Sequence, residues 1–205
     1  MTESTGKAEL ILASGSPRRR DLLAAAGFRF RVENPGIEEN EDTSLPIRLL
    51  TAENARDKAV AVSARFPEAV VIAADTLVLL GETVLSKPAD LAEAARMLES
   101  LSGGNHEVFT AVAIRHGQTG REVDFTETTS VHFKTLTPDQ RAEYHRRIDP
   151  LDKAGAYAAQ EHGDLIIDQI EGSMSNVIGL PMDEVIRVLR DDFGITPDPL
   201  ATDPR

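Results

Sequence analysis

The sequence predicts an α/β protein, and three kinds of stretch carry that prediction. Residues 10–13 and 69–74 are apolar runs too short for helices and typical of strands covered on both faces. Between them, a long stretch repeats apolar residues at spacings of three and four, which is a helical period. The apolar segment 106–114 and the alternating segment 123–133 predict an antiparallel hairpin. Helices alternating with strands in this way favour an α/β sheet.

The remaining elements are assigned from capping residues, turn signals and periodicity. Thr43 or Ser44 can cap the long helix, and Asp90 and Thr137 can cap two later ones. The predicted strands are 10–13, 28–33, 69–74 with its continuation 77–80, 84–85, 106–114, 123–133 and 165–170. The predicted helices start at residue 17 and span about 45–66, 90–101, 137–147 and 179–192, and a polar loop is predicted over 172–176.

The turn after the first strand has the residues of an anion-binding site. Gly15 can adopt a positive φ, Ser14 and Ser16 offer hydroxyls, and Pro17 suits a first helical position. The arginines at 18–20 then lie at the positive end of a helix, where an anion should offset them. A polyphosphate would fit these N–H, hydroxyl and guanidinium groups. The alternative is a solvated basic helical turn, and the pattern matches neither a P-loop nor a dinucleotide-binding turn.

Charged candidates also occur further along the chain. We expect Asp75 and Thr76 at the C-terminal end of a buried strand, where open α/β sheets bind ligands. Lys87 has an extended backbone because a proline follows it, whereas Lys58 is by default a surface lysine on the long helix. The acidic loop 37–42 either serves solubility or contributes carboxylates to a Mg²⁺ site.

Residues 149–160 combine small side chains with a few polar ones. Small residues let the backbone approach a ligand closely. Asp152 and Lys153 form an adjacent charged pair, and Gln160 can offer both a donor and an acceptor to the edge of a base. The segment is therefore a candidate for the nucleoside end of a ligand.

Composition limits the class of protein. The 205 residues suit a single domain, 1–205, with 1–7 and 195–205 predicted to be flexible tails. The chain has no cysteine, which excludes disulfides, thiolate metal sites and cysteine nucleophiles. A net charge of −12 argues against stable binding of nucleic acid. The polar N-terminus, and the lack of an apolar run near the ~20 residues of a membrane span, predict a cytoplasmic protein without membrane contact.

Several blocks in this order resemble the Maf family of nucleoside triphosphate pyrophosphatases. The resemblance extends from residue 10 to about residue 193. The blocks are Leu12-Ala13-Ser14-Gly15-Ser16-Pro17-Arg18-Arg19, Ala74-Asp75-Thr76, Lys87-Pro88, Asp152-Lys153-Ala154-Gly155-Ala156-Tyr157 with Gln160, and Gly172-Ser173 through Val177-Ile178-Gly179-Leu180-Pro181.

The resemblance implies a fold, a reaction and a set of site residues. The fold would be two α/β lobes around a central mixed, twisted sheet with a cleft between them, possibly as a homodimer. The reaction would be hydrolysis of a nucleoside triphosphate to the monophosphate and pyrophosphate, with Mg²⁺ or Mn²⁺. The resemblance makes Asp75 the catalytic residue, with Glu39 as its acidic partner and both as candidate metal ligands. The implied phosphate-binding residues are Ser14, Arg18, Arg19, Lys58 and Lys87.

The resemblance also implies a substrate class. Arg18, Thr76 and Gln160 match the subgroup that acts on dTTP and UTP, whereas the 7-methyl-GTP subgroup has Trp, Gln and Glu there. Small departures from the family pattern leave the chemistry intact but loosen the expected base preference. They are Ala74, Ala159 and Met174, where glycine, isoleucine and an aromatic residue are usual.

We therefore hypothesise that Asp75 orients or deprotonates the attacking water while the basic residues neutralise the leaving pyrophosphate. Modified pyrimidine nucleotides, removed in a house-cleaning role, are alternative substrates. The alternative to an enzyme is a nucleotide-binding regulator of septum formation or cell division that acts through a protein partner.

Overall fold

In the computed structural model, which describes residues 8–198, the strands form one mixed sheet of seven strands. The strands are β1 (Leu10–Leu12), β2 (Arg31–Val32), β3 (Val70–Leu80), β4 (Thr83–Leu85), β5 (Asn105–His116), β6 (Arg121–Phe133) and β7 (Ile167–Glu171). The helices are α1 (Pro17–Ala25), α2 (Ile47–Ser63), α3 (Leu91–Leu101), α4 (Pro138–His145), α5 (Met174–Ile178) and α6 (Met182–Phe193), with 3₁₀ turns at Ala154–Ala156 and Gly163–Leu165. The sheet order is β2-β1-β3-β5-β6-β7, and β4 pairs with β3.

Strand β3 has a continuous partner on one side and an interrupted one on the other. It pairs antiparallel with β5 from Val70 to Leu79. On its other side it pairs in parallel with β1 only as far as Ile72, and antiparallel with β4 only from Val78. Within the described residues, 73–77 therefore lack a strand neighbour on that side. We call this stretch the open edge.

The apolar cores lie on either side of the open edge and give the molecule two lobes. Before it, side chains of β1, β3 and β5 pack against α1 and α6 on one face of the sheet and against α2 on the other. Beyond it, Val78, Leu98 and Tyr144 belong to a core built with α3 and α4. The predicted α/β class with a mixed sheet is confirmed by this arrangement.

One prediction about β3 was wrong in a way that matters for the site. Asp75 and Thr76 were expected at the C-terminal end of the strand 69–74, but β3 runs through them without a break into the predicted continuation 77–80. The strand continues because β5 supplies hydrogen bonds on its other side past both residues. Asp75 nevertheless lies just beyond the carboxyl end of β1, whose ladder stops at Ile72.

Other element bounds also differ from the sequence predictions. The strand predicted over 28–33 is reduced to Arg31–Val32. The polar loop predicted over 172–176 contains the start of α5, which Ser173 caps by accepting a hydrogen bond from the Asn176 N–H. Neither predicted residue caps α2, because Pro46 occupies its N-cap position and Ser44 instead donates to Asp42.

The tail predicted to begin at residue 195 was placed too early. Ile195 is buried in the core that contains Phe28, and the Asp198 N–H donates to the Gly27 carbonyl at 2.8 Å. Residues 195–198 thus pack on the body of the protein. The other predicted tail residues, 1–7 and 199–205, lie outside the described residues. No helix within 8–198 is long and apolar enough to cross a bilayer.

A buried histidine lies in the aromatic part of the second lobe. His106 is 2% exposed, and its Nε2 lies 2.8 Å from the Tyr157 hydroxyl. Its ring meets those of Phe133 and Tyr157 edge-on. Burial, with a smaller contribution from the charge of His132, lowers the pKa of His106 to about 4. The ring is therefore neutral in the folded protein at neutral pH.

This histidine predicts a loss of stability in acid. The unfolded chain binds a proton at His106 near pH 6.5, whereas the folded protein binds it only near pH 4. The contribution of neutral His106 to the free energy of unfolding is therefore fully present above about pH 6.5. It decreases by about 3 kcal/mol as the pH drops towards about 4. Urea unfolding across this range should show a smaller loss for His106→Phe than for the wild type. Equal losses for the two proteins would contradict this account.

Candidate active site

The open edge of β3 forms the floor of a cavity of about 650 Å³. Successive residues of a strand point to opposite faces of the sheet, so Asp75 faces α2 and Thr76 faces α1. All the candidate residues predicted from the sequence line this one cavity. They are Ser14, Arg18, Arg19, Glu39, Lys58, Asp75, Thr76, Lys87, Asp152, Lys153 and Gln160.

A buried lysine joins the two candidate catalytic carboxylates. The Nζ of Lys58 lies 2.8 Å from Asp75 Oδ1 and 2.8 Å from Glu39 Oε1. The side chains of Lys58 and Asp75 are only 6% and 7% exposed. The default assignment of Lys58 to the surface was therefore wrong. An isolated charge at this depth would be costly, and each of these two groups neutralises the other.

The charges around Glu39 act on its ionisation. Burial alone would raise the pKa of Glu39, but the nearby Lys58, with smaller contributions from Lys87 and Arg19, outweighs burial and lowers it. Glu39 is therefore ionised at neutral pH and can act as a carboxylate in the cavity.

Asn54 is a site residue that the sequence reasoning missed. Its amide accepts a hydrogen bond from the Asn40 N–H at 2.8 Å and donates to the Asn40 carbonyl at 3.0 Å. Its Nδ2 also lies 3.5 Å from Asp75 Oδ2. Asn54 thus fixes the acidic loop, and with it Glu39, next to α2. The available signal was its spacing of four from Lys58, which places both polar groups on one side of the helix.

Arg19 is fixed in the cavity wall by three hydrogen bonds. Its Nε donates to the Gly179 carbonyl at 2.8 Å, its Nη1 to Ser14 Oγ at 3.2 Å and its Nη2 to Thr76 Oγ1 at 2.9 Å. Burial lowers the pKa of this guanidinium, while Asp75 acts to raise it. The contacts join the first turn of α1 to β3 and to the end of α5.

The turn before α1 differs in detail from its prediction. Ser16 lies at the N-cap but makes no side-chain cap, and its N–H donates to Ser14 Oγ at 3.2 Å. Gly15 does not use the positive φ that glycine allows. A Cβ added at Gly15 would meet no atom within 4 Å. The space beside this glycine is open, which is the condition for close approach of a ligand.

Arg18 contacts the opposite side of the cavity. Its Nη1 lies 2.8 Å from Asp152 Oδ2, and its Nη2 donates to the Asp152 carbonyl at 3.1 Å. Lys153 Nζ donates to the other carboxylate oxygen at 2.6 Å. Burial acts to raise the pKa of Asp152, but Lys153 and Arg18 outweigh it and lower the pKa. The anion expected near the arginines is therefore, for Arg18, a carboxylate of the chain.

Lys87 and Gln160 lie at the exposed rim of the cavity. The Gln160 amide donates to its neighbour Glu161 at 3.3 Å. Both side chains are long, flexible and close to solvent. Their predicted roles in binding phosphate and reading a base stay predictions.

The carboxylates of the cavity suit a divalent cation that also binds phosphate and water, and not a cation held by protein ligands alone. Within 8–198, no three His, Cys, Asp or Glu residues are grouped closely enough to hold a metal ion. Asp75 and Glu39 each place one oxygen on Lys58. The residues therefore do not fit a site made wholly of protein ligands. They fit an ion that takes one or two carboxylate oxygens and completes its shell with phosphate oxygens and water.

Comparison with known proteins identifies the family. The model of the family described as Maf-like protein matches residues 9–192. The chain belongs to the Maf family. The resemblance inferred from the sequence blocks is thereby confirmed.

Curated members of the family are similar to the chain over most of their length. The dTTP/UTP pyrophosphatase of Desulforamulus reducens is 41% identical over 186 residues, covering 91% of this chain and 97% of its own. The dTTP/UTP pyrophosphatase of Moorella thermoacetica is 45% identical over 181 residues, covering 88% and 93%. A solved HAM1 protein from Coxiella burnetii covers 62% of this chain and 73% of its own, with 12% identity and a TM-score of 0.40, too weak a likeness to carry an argument.

The buried ion pair predicts an asymmetric response to substitution. Lys58→Met leaves the Asp75 carboxylate buried without its cation and should destabilise the protein by about 3 kcal/mol in urea unfolding. Glu39→Gln, at a side chain 38% exposed, should cost less than about 1 kcal/mol. The double variant Lys58→Met, Asp75→Asn should recover part of the loss, because no carboxylate is left unpaired. A Lys58→Met protein as stable as the wild type would contradict the pairing.

Proposed function

We propose that this Maf-family chain is a nucleoside triphosphate pyrophosphatase that hydrolyses dTTP and UTP to the monophosphate and pyrophosphate. The observation that carries the proposal is the single cavity in which basic groups from α1, α2 and the segment after β4 surround two linked carboxylates. Relatives more than 40% identical are named dTTP/UTP pyrophosphatase, which supports the same substrate class.

The basic groups would bind the triphosphate and stabilise the charge that moves to the leaving group. Arg19 is already oriented by the chain, whereas Lys87 is exposed and free to meet phosphate oxygens. Fixed positive groups in a partly enclosed site stabilise developing negative charge without reorganisation. In phosphoryl transfer this stabilisation and the positioning of reactants supply most of the catalysis.

Asp75 would orient or deprotonate the water that attacks phosphorus. Its Oδ1 is held by Lys58 and its Oδ2 lies near the Asn54 amide, so the carboxylate has a defined direction in the cavity. Asp75 and Glu39 would also hold a Mg²⁺ or Mn²⁺ that binds with the nucleotide. Such an ion supplies neutralisation of phosphate charge.

The test is pyrophosphate release from dTTP, UTP, CTP, GTP, 7-methyl-GTP and ITP, with Mg²⁺ or Mn²⁺ and with chelator. Release that needs the metal and is fastest with dTTP or UTP is the expected result. Release that favours a purine would keep the reaction and overturn the substrate class. No release from any of these nucleotides, with binding intact, would favour a nucleotide-binding regulator instead.

Replacing the proposed catalytic carboxylate should remove activity without unfolding the chain. Asp75→Asn keeps the shape of the side chain and should lower kcat for dTTP by roughly 10²–10⁴-fold. Asp192→Asn, at an exposed ion pair with Arg121, serves as the matched control and should keep normal kcat. Near-normal turnover by Asp75→Asn would show that this carboxylate is not the catalytic group.

A substitution at Gly15, in the turn before α1, tests the approach of a ligand without disturbing the fold. Gly15→Ala adds a methyl group into open space, so stability should stay within about 1 kcal/mol of the wild type. The same methyl group should hinder a phosphate resting on the turn and lower kcat/KM for dTTP. Thermal unfolding and initial rates, measured together, check both parts. An unchanged kcat/KM would mean that the nucleotide does not approach Gly15.

A further inference from the structure

A series of hydrogen-bonded groups, two threonine hydroxyls and a main-chain carbonyl, runs from the cavity into the core. Thr76 Oγ1 on β3 lies 2.9 Å from Thr110 Oγ1 on β5, the residue directly opposite it in the ladder. Thr110 Oγ1 in turn lies 3.0 Å from the main-chain carbonyl of Asn176 on α5. Thr110 is fully buried, whereas Thr76 is partly exposed and lines the cavity.

The Asn176 carbonyl, where this series of hydrogen bonds ends, is held in place by its surroundings. Asn176 is fully buried, and its Nδ2 donates to the Val108 carbonyl at 3.1 Å and to Thr129 Oγ1 at 2.9 Å. Its N–H donates to Ser173 Oγ. The Asn176 carbonyl therefore has a fixed position, and a carbonyl can only accept a hydrogen bond.

Because this carbonyl can only accept, it determines which group donates in each hydrogen bond of the series. A hydroxyl has one proton to donate. Thr110 donates its proton to the Asn176 carbonyl, so in the bond between the two threonines Thr76 is the donor. Thr76 also accepts a hydrogen bond from Arg19 Nη2 at 2.9 Å. Its proton and one of its two lone pairs are thus used. Thr76 lines the cavity, and no hydrogen bond from residues 8–198 occupies its second lone pair.

We propose that Thr110 is a positioning residue that makes Thr76 an acceptor towards the nucleotide, and that this polarity selects bases with an N–H at position 3. The inference rests on the proposed function, since it assumes a pyrimidine nucleotide in the cavity with its base beside Thr76. Thymine and uracil carry a donor at N3, whereas cytosine carries an acceptor there. An acceptor facing an acceptor leaves both groups unpaired, which is how a polar site rejects a close analogue.

The substitution that tests this is Thr110→Val, which keeps the shape and removes the hydroxyl. Because the Asn176 carbonyl keeps its bond from the Gly179 N–H at 3.0 Å, we expect the variant to fold. The Thr76 proton then has no protein acceptor and can turn to cytosine N3. The ratio of kcat/KM for dTTP to that for dCTP should fall roughly tenfold, the worth of about one net hydrogen bond. Thr110→Ser keeps the hydroxyl and should keep the wild-type ratio.

The change in the ratio of kcat/KM for dTTP to that for dCTP distinguishes a positioning role of Thr110 from a packing role. If Thr110→Val lowers kcat/KM for both nucleotides by the same factor, the residue is structural and the proposal is overturned. A wild-type enzyme that hydrolyses dTTP and dCTP equally well overturns it too. In both cases the proposed pyrophosphatase reaction stands, because it is tested separately by the release of pyrophosphate from dTTP and UTP by the wild type.

A second measurement needs no variant. In the triphosphate of 3-methyluridine a methyl group replaces the N3 proton, so both carbonyl groups of uracil are kept and the donor is lost. Wild-type kcat/KM for this analogue should be roughly tenfold below that for UTP. Equal values for the two nucleotides would overturn the proposal even if Thr110→Val fails to fold.

Discussion

The site depends on one constraint of the sheet, the open edge of β3. Because β5 pairs with β3 throughout, β3 can lose its other neighbour after Ile72 without ending. Side chains from both faces of the sheet then line the gap between β1 and β4. Main-chain groups left without a strand partner still need hydrogen bonds, and here the Lys58 ammonium approaches the Ala74 carbonyl at 3.5 Å. The interruption of the ladder thus creates the cavity and brings α1, α2 and α5 to it.

The charges of the cavity are paired within the chain. Lys58 is held by Asp75 and Glu39, and Arg18 by Asp152. In a partly buried site these pairs offset the desolvation of each group and give it a fixed direction. A local basic cluster in a chain of net charge −12 suits a short polyphosphate and disfavours a long polyanion.

Sequence patterns predicted the fold class and most elements, because burial periodicity and turn residues are local signals. The resemblance to the Maf family supplied most of the residues that meet in the cavity. They did not predict that Asp75 lies in mid-strand, since the support comes from β5, more than thirty residues later. The burial of Lys58 and the role of Asn54 depend on how α2 packs on the sheet, which periodicity alone does not fix. The Thr76–Thr110–Asn176 chain joins three distant segments, and each of its residues is unremarkable in its own stretch.

The most direct test of the account is a crystal structure with Mg²⁺ and a dTTP analogue whose α,β-bridging oxygen is replaced by an imido group. The account predicts the triphosphate in the gap between β1 and β4, with its α-phosphorus next to Asp75 and its outer phosphates on the turn before α1. It also predicts the base beside Thr76. A nucleotide bound elsewhere, or one with its α-phosphate remote from Asp75, would contradict the central claim that the open edge of β3 is the active site.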